Sequence, residues 1–223
     1  MTDLDFITLA DWRRRIADLY ASVRAIASGD PRAAWENWRT VRDDLYRTHP
    51  QSPVPAKSRA AFRSRYWPYD PALRFEVTIG ALDPLNPFLP AAPEGVATQA
   101  GLAIQLPMSV GAAMSFTQIG EVLLPLPQGP RTLGVFWMAG YADGLFLPFR
   151  DATNGSSTYG AGRYLLDAAK SADLGTSEVT DRLILDFNFA FQPSCAFDPQ
   201  WSCPLAPPSN RLDVPIEAGE RIR

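Results

Sequence analysis

The sequence predicts an α+β protein in which N-terminal amphipathic helices pack on a mainly antiparallel β-barrel or sandwich. Three observations carry this. Apolar residues recur at helical spacing up to Leu45 and not beyond it. From Tyr66 onward they fall into short runs broken by turn signals. The 21 prolines and 15 glycines demand more turns than a helical bundle uses. We expect residues 1–65 to form a helical segment and 66–223 a β domain, together a single domain.

The first helix is expected to begin at Asp11, which has the chemistry of an N-cap, with Trp12, Ile16, Leu19, Tyr20, Val23 and Ile26 on one face. Gly29 ends it. Asp30-Pro31 restarts the chain, with Asp as cap and Pro at the first helical position, where its missing N–H costs nothing. Ala34, Trp38, Val41 and Leu45 make the second stripe, and His49-Pro50 stops it. Trp12, Trp35 and Trp38 are assigned to core packing. A helical turn is expected over 56–65, where Lys57, Arg59, Arg63 and Arg65 form a solvated basic face.

The β region opens with Phe75, Val77 and Ile79 alternating against polar neighbours, the period of a half-buried strand. A loop rich in Pro and Ala is expected over 83–95. Strands are then expected over 102–106, 114–119, 122–126, 133–139 and 145–149, broken at Pro107, Gly120-Glu121, Gln128-Gly129-Pro130 and Asp143-Gly144. Connections this short make antiparallel neighbours in a meander. An edge strand is expected over 210–216. Strand and helix do not alternate along the chain, which argues against a doubly wound fold.

Composition excludes several classes. With six Trp, seven Tyr and twelve Phe the chain has ample surface to bury, so disorder is not expected. The formal net charge of −3 does not favour nucleic acid. Residues 1–74 carry thirteen basic and nine acidic side chains, and the remainder eight and fifteen. That asymmetry reads either as two solvated surfaces or as a basic front packed on an acidic body, in the same chain or in a dimer mate. No apolar run reaches the ~20 residues of a membrane span, and MTDLDF lacks the basic and apolar regions of a signal peptide. A cytoplasmic location without membrane contact is the expectation. Cys195 and Cys203 are expected to be free thiols, although a bridge between them would add ~2–3 kcal/mol. Two Cys and one His at no standard spacing do not suggest zinc, and a Cys–His nucleophile would need His49 to reach one of the thiols. No metal and no cofactor are expected; a flavin would rest on fold analogy alone.

The chemistry concentrates in LFLPFRDATNGSSTYGAGRYLLD, residues 145–167, and in LILDFN, 183–188. Asn154-Gly155 marks a tight turn, and Gly160 and Gly162 let backbone approach a neighbour or ligand closely. The segment lacks the endings of a phosphate loop, a dinucleotide fingerprint and a nucleophile elbow. Arg163 lies in a strand-like run, where a guanidinium needs a planar carboxylate or phosphate partner. Asp186 or Asp151 can supply it as a register-fixing pair. Alternatively Arg163 receives the anionic group of a small ligand.

The strings F-R-D-A-T-N-G-S-S-T-Y-G-A-G-R-Y-L-L-D, L-D-F-N-F-A-F, P-S-C-A-F, C-P-L-A-P-P-S-N-R-L and A-G-E resemble an uncharacterised prokaryotic family, domain of unknown function 1684. The resemblance runs from about 43 to 220 and opens on Arg42-Asp43-Asp44. Phe191 departs from it, standing where an Asn is usual after the aromatic. The resemblance implies a shared fold and a shared polar site, and no activity.

Two functional readings follow. In the first, the protein binds or transforms a small anionic molecule in a pocket between GSSTYGAGRY and LDFN. Thr158, Tyr159, Arg163, Tyr164, Asn188 and Cys195 would bind the ligand, and Asp151 or Asp186 would act as general base if burial raised its pKa. In the second, the same residues form a buried hydrogen-bond network in a homodimeric structural or regulatory module.

Overall fold

Helix α2, Pro31–Thr48, shows most directly how the sequence sets its own limits. The Asp30 carboxylate accepts from the Ala33 amide at 3.0 Å, Pro31 starts the first turn, and His49 turns extended before Pro50. Its buried face is Ala34, Trp35, Trp38, Arg42, Leu45 and Tyr46. The computed structural model describes residues 3–82, 101–138 and 143–222. The proline- and alanine-rich loop expected over 83–95 lies outside them, as does Ala139.

Helix α1, Asp3–Ala27, begins eight residues before the expected cap. Leu4, Phe6 and Ile7 are exposed in its first turns, so the buried stripe that betrays a helix starts only later. Asp11 is therefore no cap. It accepts from Arg15 Nε at 2.8 Å and lies 3.2 Å from His49 Nε2. His49 Nδ1 in turn accepts from the Gln51 amide, which places this imidazole at the helix junction. The turn expected over 56–65 is helical only in α3, Ala56–Arg59.

Strands β3 (Leu102–Leu106), β4 (Met114–Leu126), β5 (Gly129–Met138), β6 (Gly144–Phe149) and β7 (Arg163–Asp167) form an antiparallel sheet in sequence order, the predicted meander. Two smaller ribbons complete the β structure. Strand β2 (Arg74–Val77) pairs with β8 (Leu183–Asp186), and β1 (Arg65–Tyr66) with β9 (Glu220–Arg221). The sheet is open at β3 and β7, and no barrel closes among the described residues. No helix of the described residues is long and apolar enough to cross a membrane.

Two corrections concern the sheet. The runs 114–119 and 122–126 are one strand with a bulge between Gln118 and Gly120. Phe116 packs with the helices, whereas Val122, Leu124 and Leu126 pack on the opposite face. One extra residue reverses which side chains face which layer, and that is the bulge's structural use. The edge strand expected over 210–216 is not formed; a short 3-10 turn, Pro208–Asn210, stands at its start. Strands β5 and β6 pair only over three positions. Beyond them the fully buried Asn210 side chain spans the gap. It accepts from Gly134 N at 2.8 Å and donates to Gly134 O at 2.9 Å and Pro148 O at 2.8 Å. A side chain replaces the missing ladder bonds, as buried backbone groups require.

One apolar cluster joins Ile16, Trp38 and Leu45 of the helices to Phe116, Phe136, Phe146 and Tyr164 of the sheet. A second, with Phe75, Leu133, Leu147, Leu185 and Phe187, fills the space under β2 and β8. The sheet is thus covered on both faces, and every residue of β7 is buried.

Gly162, which leads into β7, has φ +107, and a Cβ there would lie 2.5 Å from Phe149 O. Gly162→Ala combines a disfavoured backbone with a clash against a main-chain atom. It should cost on the order of 3 kcal/mol and lower the melting temperature by roughly 6–12 °C in a thermal melt.

Candidate functional site

The predicted site residues separate into three groups. The first surrounds Arg163, whose side chain is fully buried. Its Nη2 donates to Asp151 Oδ2 at 2.6 Å and to Ile216 O at 2.8 Å, and Nη1 donates to the carbonyls of Ala218 and Glu220. The Trp67 and Phe149 rings lie 5.3 and 5.1 Å from the guanidinium carbon. Asp151 Oδ1 accepts from Thr153 N at 2.7 Å and from the Thr153 hydroxyl. Thr153 and Thr158 share a hydrogen bond at 2.9 Å, and Asn154 Nδ2 donates to Thr158 Oγ1 at 2.8 Å. The D-A-T-N-G-S-S-T turn is therefore knit to itself and, through Arg163, to the C-terminal segment. The open cleft expected between Arg163 and Asp186 is not there: Arg163 pairs with Asp151, and both side chains are sealed at 0% exposure.

The second group is Asp186 and Asn188. Asp186 Oδ1 accepts from Asn188 N at 2.9 Å and Asn188 Nδ2 at 2.7 Å, and Oδ2 accepts from Tyr69 OH at 3.3 Å. Asn188 also accepts from Asp70 N and donates to Asp70 O, both at 2.8 Å. This arrangement fastens the turn before β2 to the end of β8. Burial pushes the Asp186 carboxyl up to about 6, against the downward pull of the Asn188 donors.

The third group gathers Tyr159, Tyr164 and Cys195 around Cys203. Both thiols are free and buried, with Cys195 N donating to Cys203 Sγ at 3.4 Å. Hydrogen bonding between the thiols lowers the Cys195 pKa and raises that of Cys203. Tyr164 OH donates to Pro204 O, and burial pushes its phenol up. His49 is engaged with Asp11 and Gln51 instead of pairing with a thiol.

Beside the first group lies a pocket of about 590 Å³ lined by Arg150, Gly160, Ala161, Leu205, Pro208 and Arg211, among others. Arg150 follows β6 and Arg211 follows the Pro208–Asn210 turn. A parallel bridge sets them in register, with Arg150 N donating to Asn210 O and Leu212 N to Arg150 O, each at 2.8 Å. Arg150 Nη2 also donates to Gly160 O at 2.8 Å. Among the described residues lining this pocket none is acidic.

Sequence reasoning reached Arg211 only as a motif position of the family string S-N-R-L and gave neither it nor Arg150 a site role, because no spacing signal joins them; only the fold sets them side by side. It also missed the buried pair of Arg42 Nη2 with Glu220 Oε2 at 2.9 Å. There a signal existed. Arg42 falls four residues after Trp38 and three before Leu45, a charge on the buried stripe of α2. The pair shows that the basic front does reach the acidic body at this point.

Asp186 gives a pH test. Its pKa in the folded chain is about 6, above its unfolded value, so its contribution to stability is complete at low pH and is lost as pH rises through 6. Asp186→Asn keeps the acceptor for Asn188 and removes the charge. Relative to the unaltered protein, the variant should gain on the order of 2 kcal/mol between pH 4 and 7 in urea titrations. A gap that stays constant over that range would contradict the assignment.

The comparisons with known proteins agree with this fold. None of the curated proteins matches the chain. The solution NMR structure of an uncharacterized protein of Haloarcula marismortui matches with TM-score 0.54 at 29% identity, over 82% of this chain and 89% of that one. The model of the family described as protein of unknown function (DUF1684) matches residues 62–221, starting later than the resemblance read from Arg42-Asp43-Asp44 and leaving α1 and α2 outside it. That range holds the Arg163 network, the Asp186 turn, the cysteine pair and the arginine pocket, and it is more than half of the chain, which therefore belongs to the DUF1684 family.

Proposed function

We propose that the protein binds a small anionic molecule in the pocket beside the glycine-rich turn, with Arg150 and Arg211 as the anion-holding pair. The observation that carries this reading is the bridge that sets two arginines in register at a pocket whose described lining has no acid. Like charges so placed repel, and an anion between them relieves the repulsion. Two guanidinium groups suit a phosphate or a carboxylate. The volume of about 590 Å³ falls in the range of ~300–1,000 Å³ usual for small-molecule sites, where apolar walls and a few polar groups are the rule.

Gly160 adds support. Gly155 and Gly162 have φ +82 and +107, whereas Gly160 lies outside the left-handed region, and an added Cβ would meet no atom within 4 Å. Neither strain nor crowding requires glycine there. Glycine there leaves the backbone bare at the pocket wall, within reach of a ligand. This reading keeps the glycine-rich segment expected from the sequence and moves the anion from Arg163 to Arg150 and Arg211. It gives Asp151 and Asp186 no role as bases, because both are buried within hydrogen-bond networks.

Isothermal titration and thermal melts with phosphate monoesters and dicarboxylates test the proposal. At least one should bind and raise the melting temperature. Gly160→Leu and Arg211→Gln should each keep stability within ~0.5 kcal/mol and weaken that binding tenfold or more. A panel that binds nowhere, or variants that bind as well as the unaltered chain, would refute it.

The homodimer remains a second reading, favoured by Leu4, Phe6 and Ile7, which are 67%, 55% and 64% exposed on the first turns of α1. Sedimentation velocity should then show a dimer that Phe6→Glu converts to monomer.

A further inference from the structure

A different cavity lies where α1 and α2 meet the loops that carry Lys170 and Phe191, so only its helical side falls outside the residues matched by the family. It measures about 100 Å³ and is lined by Trp12, Tyr20, Arg42, Tyr46, Lys170 and Phe191, among others. We infer that it is a binding site for a short monocarboxylate of about four to six non-hydrogen atoms, such as propionate. That size follows from the cavities of about 150 Å³ that hold benzene.

Three polar side chains of the lining, Arg42, Tyr20 and Lys170, have donors to spare, while Gln51 gives its side-chain N–H to Asp5 O and Thr8 Oγ1. Arg42 is 5% exposed, and its Nε–H has no partner among the described residues although Nη2 reaches Glu220. An unmade bond of a buried donor is costly, and an acceptor in the cavity removes that cost. The Tyr20 hydroxyl accepts from Trp38 Nε1 at 3.2 Å, which leaves its own proton to donate. Burial pushes this phenol up to about 12, so the proton stays in place at neutral pH. Lys170 Nζ donates to Asp167 at 2.7 Å and has further protons to give. Arg42 Cζ and Lys170 Nζ lie 5.0 and 5.5 Å from the centre of one ring, Phe191.

Surplus donors around an aromatic-walled space call for a ligand whose polar end only accepts and whose remainder is apolar. A carboxylate with a short alkyl tail meets both conditions. An ammonium or an amide presents donors to donors. A ring bearing a carboxylate exceeds the volume.

Titration of the full chain with propionate, followed by amide and methyl NMR shifts, tests the inference. Saturable one-to-one binding is expected, with intermolecular NOEs from the propionate methyl to the side chain of Ile16, which also lines the cavity. Benzoate and propionamide should bind at least tenfold more weakly. Lys170→Gln should weaken propionate about tenfold, whereas Arg211→Gln in the larger pocket should leave it unchanged. That pair of variants separates this site from the one proposed above. No saturable binding, which would leave the cavity to solvent, overturns the inference. So does binding that Arg211→Gln abolishes, or NOEs that reach the 160–161 turn in place of Ile16.

Discussion

The contact between Arg163 and Asp151 holds the rest of the molecule in place. One guanidinium, dry on all sides, binds the carboxylate that starts the threonine-rich turn and three carbonyls of the segment 216–220. Glu220 lies in β9, but the Ile216 and Ala218 carbonyls belong to irregular chain and have no sheet to join. Without a multiple donor they would be buried and unpaired, which protein interiors rarely tolerate. Arginine suits the position because its donors lie in one rigid plane, while a lysine would reach fewer of them. Such a pair is not in itself a source of stability, since desolvation offsets much of its attraction. Its effect is positional: it fixes where the turn and the C-terminal segment sit, and with them Arg150 and Arg211.

A chain of dependence runs outward from there. Asn210 substitutes for ladder bonds where β5 and β6 part, and this keeps the following residue in register with Arg150. Glu220 receives Arg42 from α2 and the Gln192 amide, and its own carbonyl accepts from Arg163. The polar groups singled out by the sequence thus mostly build the frame beside the arginine-lined pocket. The side chains that border open space are less conspicuous ones.

Much of the architecture could be read from residue order, and the failures have identifiable causes. Helix α2 carries its own cap, stripe and stop, so local signals decide it. The meander followed from apolar runs and turn residues. The start of α1 was hidden because Leu4, Phe6 and Ile7 face solvent and contribute nothing to a buried stripe. The unbroken β4 was hidden because a glycine at a bulge reads as a turn in one dimension. Residues 210–216 look like a strand by alternation, yet Asn210 spends its side chain on two neighbouring strands. Around Arg163 the sequence offered two acids, Asp186 and Asp151, and the structure pairs it with Asp151. Arg163 needed an acid, but sequence distance could not choose Asp151 over Asp186. Proximity across the fold, which set Arg150 against Arg211, leaves no trace in composition or period.

The pairing of Arg42 with Glu220 bears on what counts as a self-sufficient unit. Family membership is carried by a range that starts after the helices, yet a carboxylate near the end of that range is neutralised from α2. Excising the helices would strip the cover from Tyr66, Phe189 and Phe191 and strand Glu220 without its counter-ion. In this chain α2 serves the β body as a lid, apolar on its inner side and cationic where it meets that acid, and the charge at that one point answers the body it closes.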